Sequence, residues 1–249
     1  MAKESGLGAG LFINGVDCSG DTQSVETISK AIKVTPMTGI DKYAMERDAG
    51  QLDGSIALTS FFNNARAHPE YKKLPRTDVI VSYMHKQSVL GTPVASMVAK
   101  QTSYDGNRKD DGALTLKVEA LSNSYWLDWG YSLTTGQRAD TGATNGTGVD
   151  FNDFGGGSAF GLQAYCHLLV FAGTSVTVKL QQSSDNGVGD AWADVTDGSF
   201  GALTGVGAWR LATARDQAVE RYLRVVTSGV FSAATIVVAA TVNDTDYPL

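Results

Sequence analysis

Cysteine, proline, histidine and long apolar runs are all scarce in this sequence, and each scarcity removes a class of function. Cys18 and Cys166 stand far apart in 249 residues. A disulfide framework needs more cysteines, closely spaced, in a short secreted chain. The three histidines, His68, His85 and His167, offer no i, i+4 pair that would set two imidazoles on one metal. No G-x-S-x-G elbow presents a serine nucleophile, and no G-x-x-x-x-G-K-[ST] loop follows a strand to cradle phosphate. Asp140, Asp150 and Asp153 lack EF-hand spacing. Carboxylates such as Asp110 and Asp111 read as solvated turn residues, and no pair stands out as facing acids across a cleft. No catalytic residue, cofactor or metal ligand is assigned, and the chain is read as a non-enzyme.

Apolar runs such as 236–240 are too short to cross a bilayer. The opening MAKESGLGAG has no apolar core of a signal peptide, so the expectation is a protein made and assembled in cytoplasm. A basic surface is missing too. The formal net charge is −6, with 15 basic against 16 acidic residues up to position 148 and 5 against 10 afterwards. That balance argues against sequence-specific nucleic-acid binding, while leaving open passive passage of DNA past an acidic wall.

What is present is strand material. The chain is 43% hydrophobic and 18% charged, with 28 glycines against 5 prolines, a balance that suits many strands joined by glycine turns. The clearest nucleus is 51–62, QLDGSIALTSFF. Asp53-Gly54 is a tight-turn signal, and Ile56, Leu58 and Ser60 alternate with Ala57, Thr59 and Phe61 as in a half-buried strand. Residues 63–71 then predict a short helix, capped by Asn63 or Asn64 and stopped at His68-Pro69.

Residues 1–10 read as a mobile arm and 11–16 as a hairpin around Asn14-Gly15. Over 21–34 the apolar spacing leaves strand and helix in competition. Residues 35–51 form a charged loop, long by ordinary standards and therefore functional or disordered. Strands follow at 78–83, 89–101 and 113–121, with a charged turn at 103–111 and an aromatic-rich stretch, 125–131, assigned to core and edge packing. The Gly/Thr/Asp-rich stretch 135–157 contains the expected domain boundary. The division is therefore a β-domain over 1–145, a linker over 146–158 and a second β-domain over 159–249. In the latter, Cys166 is a buried small hydrophobe, and Val176, Val178 and Leu180 mark one buried face.

Residues 37–62, MTGIDKYAMERDAGQLDGSIALTSFF, resemble the tail-tube (major tail) proteins of long-tailed phages, in which such a loop leads to a G-x-x-D-G-S-I turn, a strand and a short helix. Matches follow in order at TDVIVSY (77–83), GTPVASMVA (91–99) and GALTLKVEAL (112–121). The resemblance implies an all-β fold, a sandwich or barrel with one short helix. It also implies a virion role, in which six protomers join their sheets edge to edge and the rings stack through an N-terminal arm and a long loop to form the tube for DNA. By that resemblance the stacking candidates are Asp41, Lys42, Tyr43, Glu46, Arg47 and Asp48, read otherwise as an ordinary solvated loop. The implied partners are copies of the chain itself, the tape measure and the tail terminator.

The second domain resembles Ig-like or jelly-roll domains appended to phage structural proteins and carbohydrate-binding modules. It would decorate the tube, with Trp192, Trp209 and Tyr222 as candidate aromatics for a cell-surface glycan; core packing is the alternative for them. Two other classes remain: a capsid-decorating protein, and a carbohydrate- or receptor-binding virion protein.

Overall fold

The computed structural model describes residues 5–152 and 156–244. Residues 1–4 of the expected arm and Asp153 lie outside the described residues. The strands run, in order, β1 (Gly10–Ile13), β2 (Val16–Asp17), β3 (Thr22–Pro36), β4 (Arg47–Phe61), β5 (Val79–Met84), β6 (Pro93–Arg108), β7 (Leu114–Ser122), β8 (Asp128–Ser132), β9 (Arg138–Asp140), β10 (Thr144–Asn145), β11 (Val149–Asp150), β12 (Gly157–Ser158), β13 (Leu162–Ser183), β14 (Ala193–Leu203), β15 (Gly207–Ala212), β16 (Val219–Glu220) and β17 (Tyr222–Val242). Among the described residues a single short α-helix, α1 (Ala67–Tyr71), follows β4, with a 3-10 turn at Leu74–Arg76 after it. The protein is all-β, as the alternation and glycine content imply.

Two compact units divide the chain, and neither follows the expected boundary. The larger takes Met1–Gly20, Val79–Ser96 and Trp129–Leu249; the smaller takes Asp21–Asp78 and Met97–Asp128. The stretch read as a linker is built into the larger unit. β10 and β11 pair with β17, Val149 and Phe151 are buried, and the Phe151 ring meets Tyr131 edge-on at 5.4 Å. Arg138 and Thr227 both bond the buried Asp140 carboxylate, at 2.7 and 2.6 Å, which fixes the segment in place. Polar composition signalled a linker, but backbone pairing to a long neighbour strand decided its structure.

The larger unit is organised on β13 and β17, paired antiparallel from Leu162↔Val242 to Ser183↔Tyr222. Three register shifts between Leu168 and Ser175 interrupt the pairing. β15 flanks the first half of β13 and β14 the second. Leu162, Ala164, Cys166 and Leu168 from one half therefore share a core with Val176, Val178 and Leu180 from the other. Glycine is required at the shifts: at Gly173 (φ +152) an added Cβ would lie 2.4 Å from the Phe231 Cα. The first half of β13 is buried on both faces, because Leu169 also packs on a second core of Phe12, Met84, Val94, Val237 and Ala239. That double burial accounts for the unbroken burial of 162–168. Gly8 and Ala9 of the expected arm are tied down before β1: Gln87 donates its backbone N–H to Gly8 O at 2.9 Å and its side-chain amide to Ala9 O at 3.2 Å.

In the smaller unit β3 pairs with β4, β4 with β7 and β7 with β6. Gly54, Ile56, Leu58 and Ser60 alternate inward on β4, opposite Leu116, Val118 and Ala120 on β7. Asp53-Gly54 is not a turn. It lies within β4, where a Cβ on Gly54 would meet Leu127 at 2.8 Å, so the glycine serves a close approach. The helix also starts later than expected. Asn63 accepts from Ala65 N at 3.0 Å one turn before it, and Arg66 is the cap residue, with no side-chain cap bond. His68-Pro69 does not stop the helix, because Pro69 falls in its first turn, where an N–H has no intrahelical partner to lose.

Candidate functional site

The predicted loop 35–51 resolves into the end of a long hairpin. Thr35 and Pro36 pair with Asp48 and Arg47, so β3 and β4 each run 15 residues and leave a tip of 37–46. The tip closes on itself: Met37 N donates to Glu46 O at 2.9 Å, Lys42 N to Gly39 O at 3.2 Å, and Glu46 N to Thr38 Oγ1 at 3.0 Å. Of the six stacking candidates, Asp41, Lys42, Tyr43 and Glu46 sit in the tip, and Arg47 and Asp48 open β4. Lys42 and Glu46 pair at 3.5 Å, an exposed i, i+4 contact of small energetic weight.

The hairpin is two-faced. Cross-strand partners share a side, so Ile28↔Ile56, Ile32↔Leu52 and Val34↔Ala49 lie on the side that Ile56 and Leu58 bury in the unit's core. Lys30, opposite Gly54, interrupts this stripe. The other side carries Ala31↔Asp53 and Thr35↔Asp48, with Lys33 and Asp53 paired at 3.7 Å. Past Ile28 the apolar side emerges into solvent. Ile32 and Val34 are exposed, Met37 is 62% and Met45 59% exposed, and Ile40 and Tyr43 reach 110% and 109%. Concentrated exposure of large apolar groups on one element marks an interaction surface. Five of the six stacking candidates are charged; the unspent apolar surface belongs to the sixth, Tyr43, and to Ile32, Val34, Met37, Ile40 and Met45, which the sequence did not single out. The signal was present as apolar residues inside a charged loop, but a chain read alone does not say which of them are uncovered.

The glycan candidates are differently placed. Trp209, on β15 opposite Cys166, packs against the main core. Trp192 is half-buried; the Arg224 guanidinium lies over its ring at 4.5 Å, and Gly148 and Gly187 abut the ring closely enough that neither has room for a Cβ. Tyr222 is half-buried beside Arg221, whose guanidinium sits 5.0 Å from its ring and pairs with Asp150 at 2.6 Å. Alternation along β17 puts Tyr222 and Arg224 on one side, so Trp192 and Tyr222 are neighbours through Arg224, and Trp209 is not with them. Around them, Asp194 takes Lys179 at 2.6 Å and Gln181 at 2.7 Å, bonds that hold its carboxyl below the usual range. Gln181 accepts in turn from Arg224.

Two of the three histidines, His68 and His167, are spent on structure. His68 Nδ1 contacts the Tyr104 hydroxyl, and its ring lies 4.9 Å from Phe62. His167 is fully buried, which pushes its pKa down to about 3. Its Nδ1 accepts from Gly15 N at 3.3 Å, so Nε2 carries the proton and donates to Ser82 Oγ at 2.9 Å. Ser82 bonds Ser96 at 2.8 Å. A histidine that donates to the serine is the reverse of a general base, and its second nitrogen meets a backbone amide where a triad would place a carboxylate. Near β16, burial and the Asp190 carboxylate raise the Glu220 pKa. Among the described residues, no three His, Cys, Asp or Glu side chains are grouped to hold a metal ion.

No family model and no curated protein matches this chain. Among solved structures it is similar to the phage SPP1 Dit (gp 19.1) protein, described as a paradigm of the hub adsorption apparatus in phages infecting Gram-positive bacteria. The two are 12% identical, with 94% of this chain and 99% of that chain covered and a TM-score of 0.32, a degree of likeness that leaves any functional reading to the chain's own geometry.

Proposed function

We propose that the chain is a structural, non-enzymatic subunit of a phage tail, assembled in the host cytoplasm into the virion, and that it associates with further copies of itself through the β3–β4 hairpin. The observation that carries this reading is the apolar stripe that runs from the buried Ile56–Leu58 face out along Ile32 and Val34 to the bare tip. Burial of such surface releases about 25 cal/mol per Å², so a chain that leaves it in water has a partner to gain. The finer reading is a stack of rings, hexameric by the sequence resemblance, that forms the tail tube around the DNA. Strand pairing is compatible with it: among the described strands β3 pairs only with β4, and ring closure removes such open edges. Tape-measure and terminator proteins would then meet the ends of the stack, and the larger unit's loops would be free to meet a surface glycan.

Sedimentation velocity across a range of concentrations, with negative-stain images of the same samples, tests this. Concentration-dependent oligomers that resolve as rings or tubes are expected, and Ile40→Ser combined with Tyr43→Ser should return the protein to folded monomers. A concentration-independent monomer would overturn the proposal. Closed trimers or retention on a glycan array would move it to the decoration or receptor-binding classes.

A further inference from the structure

We propose that Met37 and Met45 form an oxidation site at the hairpin tip, and that their conversion to sulfoxides by a peroxide-class oxidant blocks association of the hairpin with a second copy. This rests on the self-assembly reading above. The chain has five methionines, and the structure sorts the described ones sharply. Met37 and Met45 are 62% and 59% exposed, whereas Met84 and Met97 are 0% exposed. Met84 belongs to the second core of the larger unit. Among the described methionines, both accessible sulfurs therefore sit at the exposed hairpin tip, and the tip's Met37 N to Glu46 O bond brings their backbones to adjacent cross-strand positions.

The chemistry is a two-electron transfer. A thioether lone pair attacks one oxygen of hydrogen peroxide, the O–O bond breaks and an S–O bond forms, and the departing hydroxide takes the proton of the new S–OH group and leaves as water. Sulfur is oxidised by two electrons and the peroxide is reduced by two. The product is a polar, strongly accepting group where an apolar and adaptable one had been. Met45 shows the consequence most directly. Its sulfur already accepts weakly from Arg47 Nη2 at 3.5 Å, and a sulfoxide oxygen there is a far better partner for the guanidinium. The side chain is drawn into a bond within its own hairpin, and any partner face that covers it must desolvate a polar oxygen. Association has the opposite effect on the chemistry, because a covered sulfur is out of reach of the oxidant.

The test is a peroxide time course read by peptide mass mapping and by sedimentation velocity on the same samples. In the free protein, a 16 Da gain at Met37 and Met45 is expected about tenfold or more ahead of Met84 and Met97, following exposure. The oxidised protein should remain folded but lose concentration-dependent association. Protein assembled before treatment should show both tip methionines protected. The Met37→Leu, Met45→Leu double variant keeps the apolar volume and should associate equally well before and after peroxide. Oxidation of Met84 or Met97 at the same rate, undiminished association of the oxidised protein, or peroxide sensitivity retained by the leucine variant would each overturn the proposal. Should untreated protein fail to associate, the self-assembly reading and the proposed block fall together, while the mass map still decides whether the tip is the oxidation site.

Discussion

β13–β17 and β3–β4 are both long antiparallel strand pairs, and they are covered in opposite ways. The first is bent on itself, so its two halves fold onto one core and β14, β15 and β17's shorter neighbours flank it. The second is covered only near its base, at Ile56 and Leu58, and its outer half ends in side chains as bare as Ile40 and Tyr43. Strand length alone stabilises neither. A two-stranded ribbon is marginal in water until a face is buried, so the first pair is a source of stability and the second draws on the stability of its base.

Truncation inside the main core and at the tip should separate the two pairs most widely. Leu180→Ala removes a fully buried side chain and should cost about 2–5 kcal/mol in urea unfolding. Val34→Ser, on the exposed stripe, should change the same measurement by less than about 0.5 kcal/mol. Equal losses would erase the distinction drawn between the pairs. A smaller effect comes from the bend. Gly173→Ala must find room against the Phe231 backbone at an unfavourable φ and should cost about 1–3 kcal/mol; a neutral result would mean that the bend is not what joins the two halves onto one core.

The third effect is a pH slope that arises in the larger unit. His167 is held neutral down to about pH 3, against 6.5 for an unhindered imidazole. As pH falls below 6.5 the unfolded chain takes up a proton that the folded chain refuses. Stability is therefore fully present above that pH and is lost between 6.5 and about 3, by ~1.4 kcal/mol per pH unit. Asp150, Asp185, Asp190 and Asp194, all held low, add a loss of the same sign at more acid pH, and Glu220, held high, opposes it. His167→Gln should flatten the slope between pH 6.5 and 4.5 in urea titrations. An unchanged slope would place the sensitivity elsewhere.

Much of the strand pattern was legible because alternation is a local property. Ile56, Leu58 and Ser60, and likewise Val176, Val178 and Leu180, face inward as their spacing requires. Signals that carry two meanings were not legible. Asp53-Gly54 has the composition of a turn, yet the glycine is needed for the approach of Leu127 across the smaller unit. His68-Pro69 reads as a stop, yet a proline in a helix's first turn costs no hydrogen bond. Residues 146–158 read as a linker, because the partner of Val149 and Asp150, β17, lies more than 70 positions later in the chain. The candidate site shows the same limit of a sequence read alone. The stacking candidates named from sequence were Asp41, Lys42, Tyr43, Glu46, Arg47 and Asp48; burial, which a sequence does not display, adds Ile32, Val34, Met37, Ile40 and Met45 to Tyr43 as exposed apolar residues of the same hairpin.

The interleaving of the two units has a consequence in time. A growing chain has every strand of the smaller unit once Asp128 has been made, with β3, β4, β6 and β7 already available to pair. The larger unit must wait for its last long strand. β13 has no lengthwise partner until β17 is synthesised, and β8, β9, β10 and β11 also pair with that final strand. Pairings across such sequence separations are slow to close. During synthesis the hairpin unit is ready early, whereas β13 can pair with β14 and β15 but keeps its long edge for β17 open to the end, a stage at which crowding of nascent chains carries its greatest risk of mispairing.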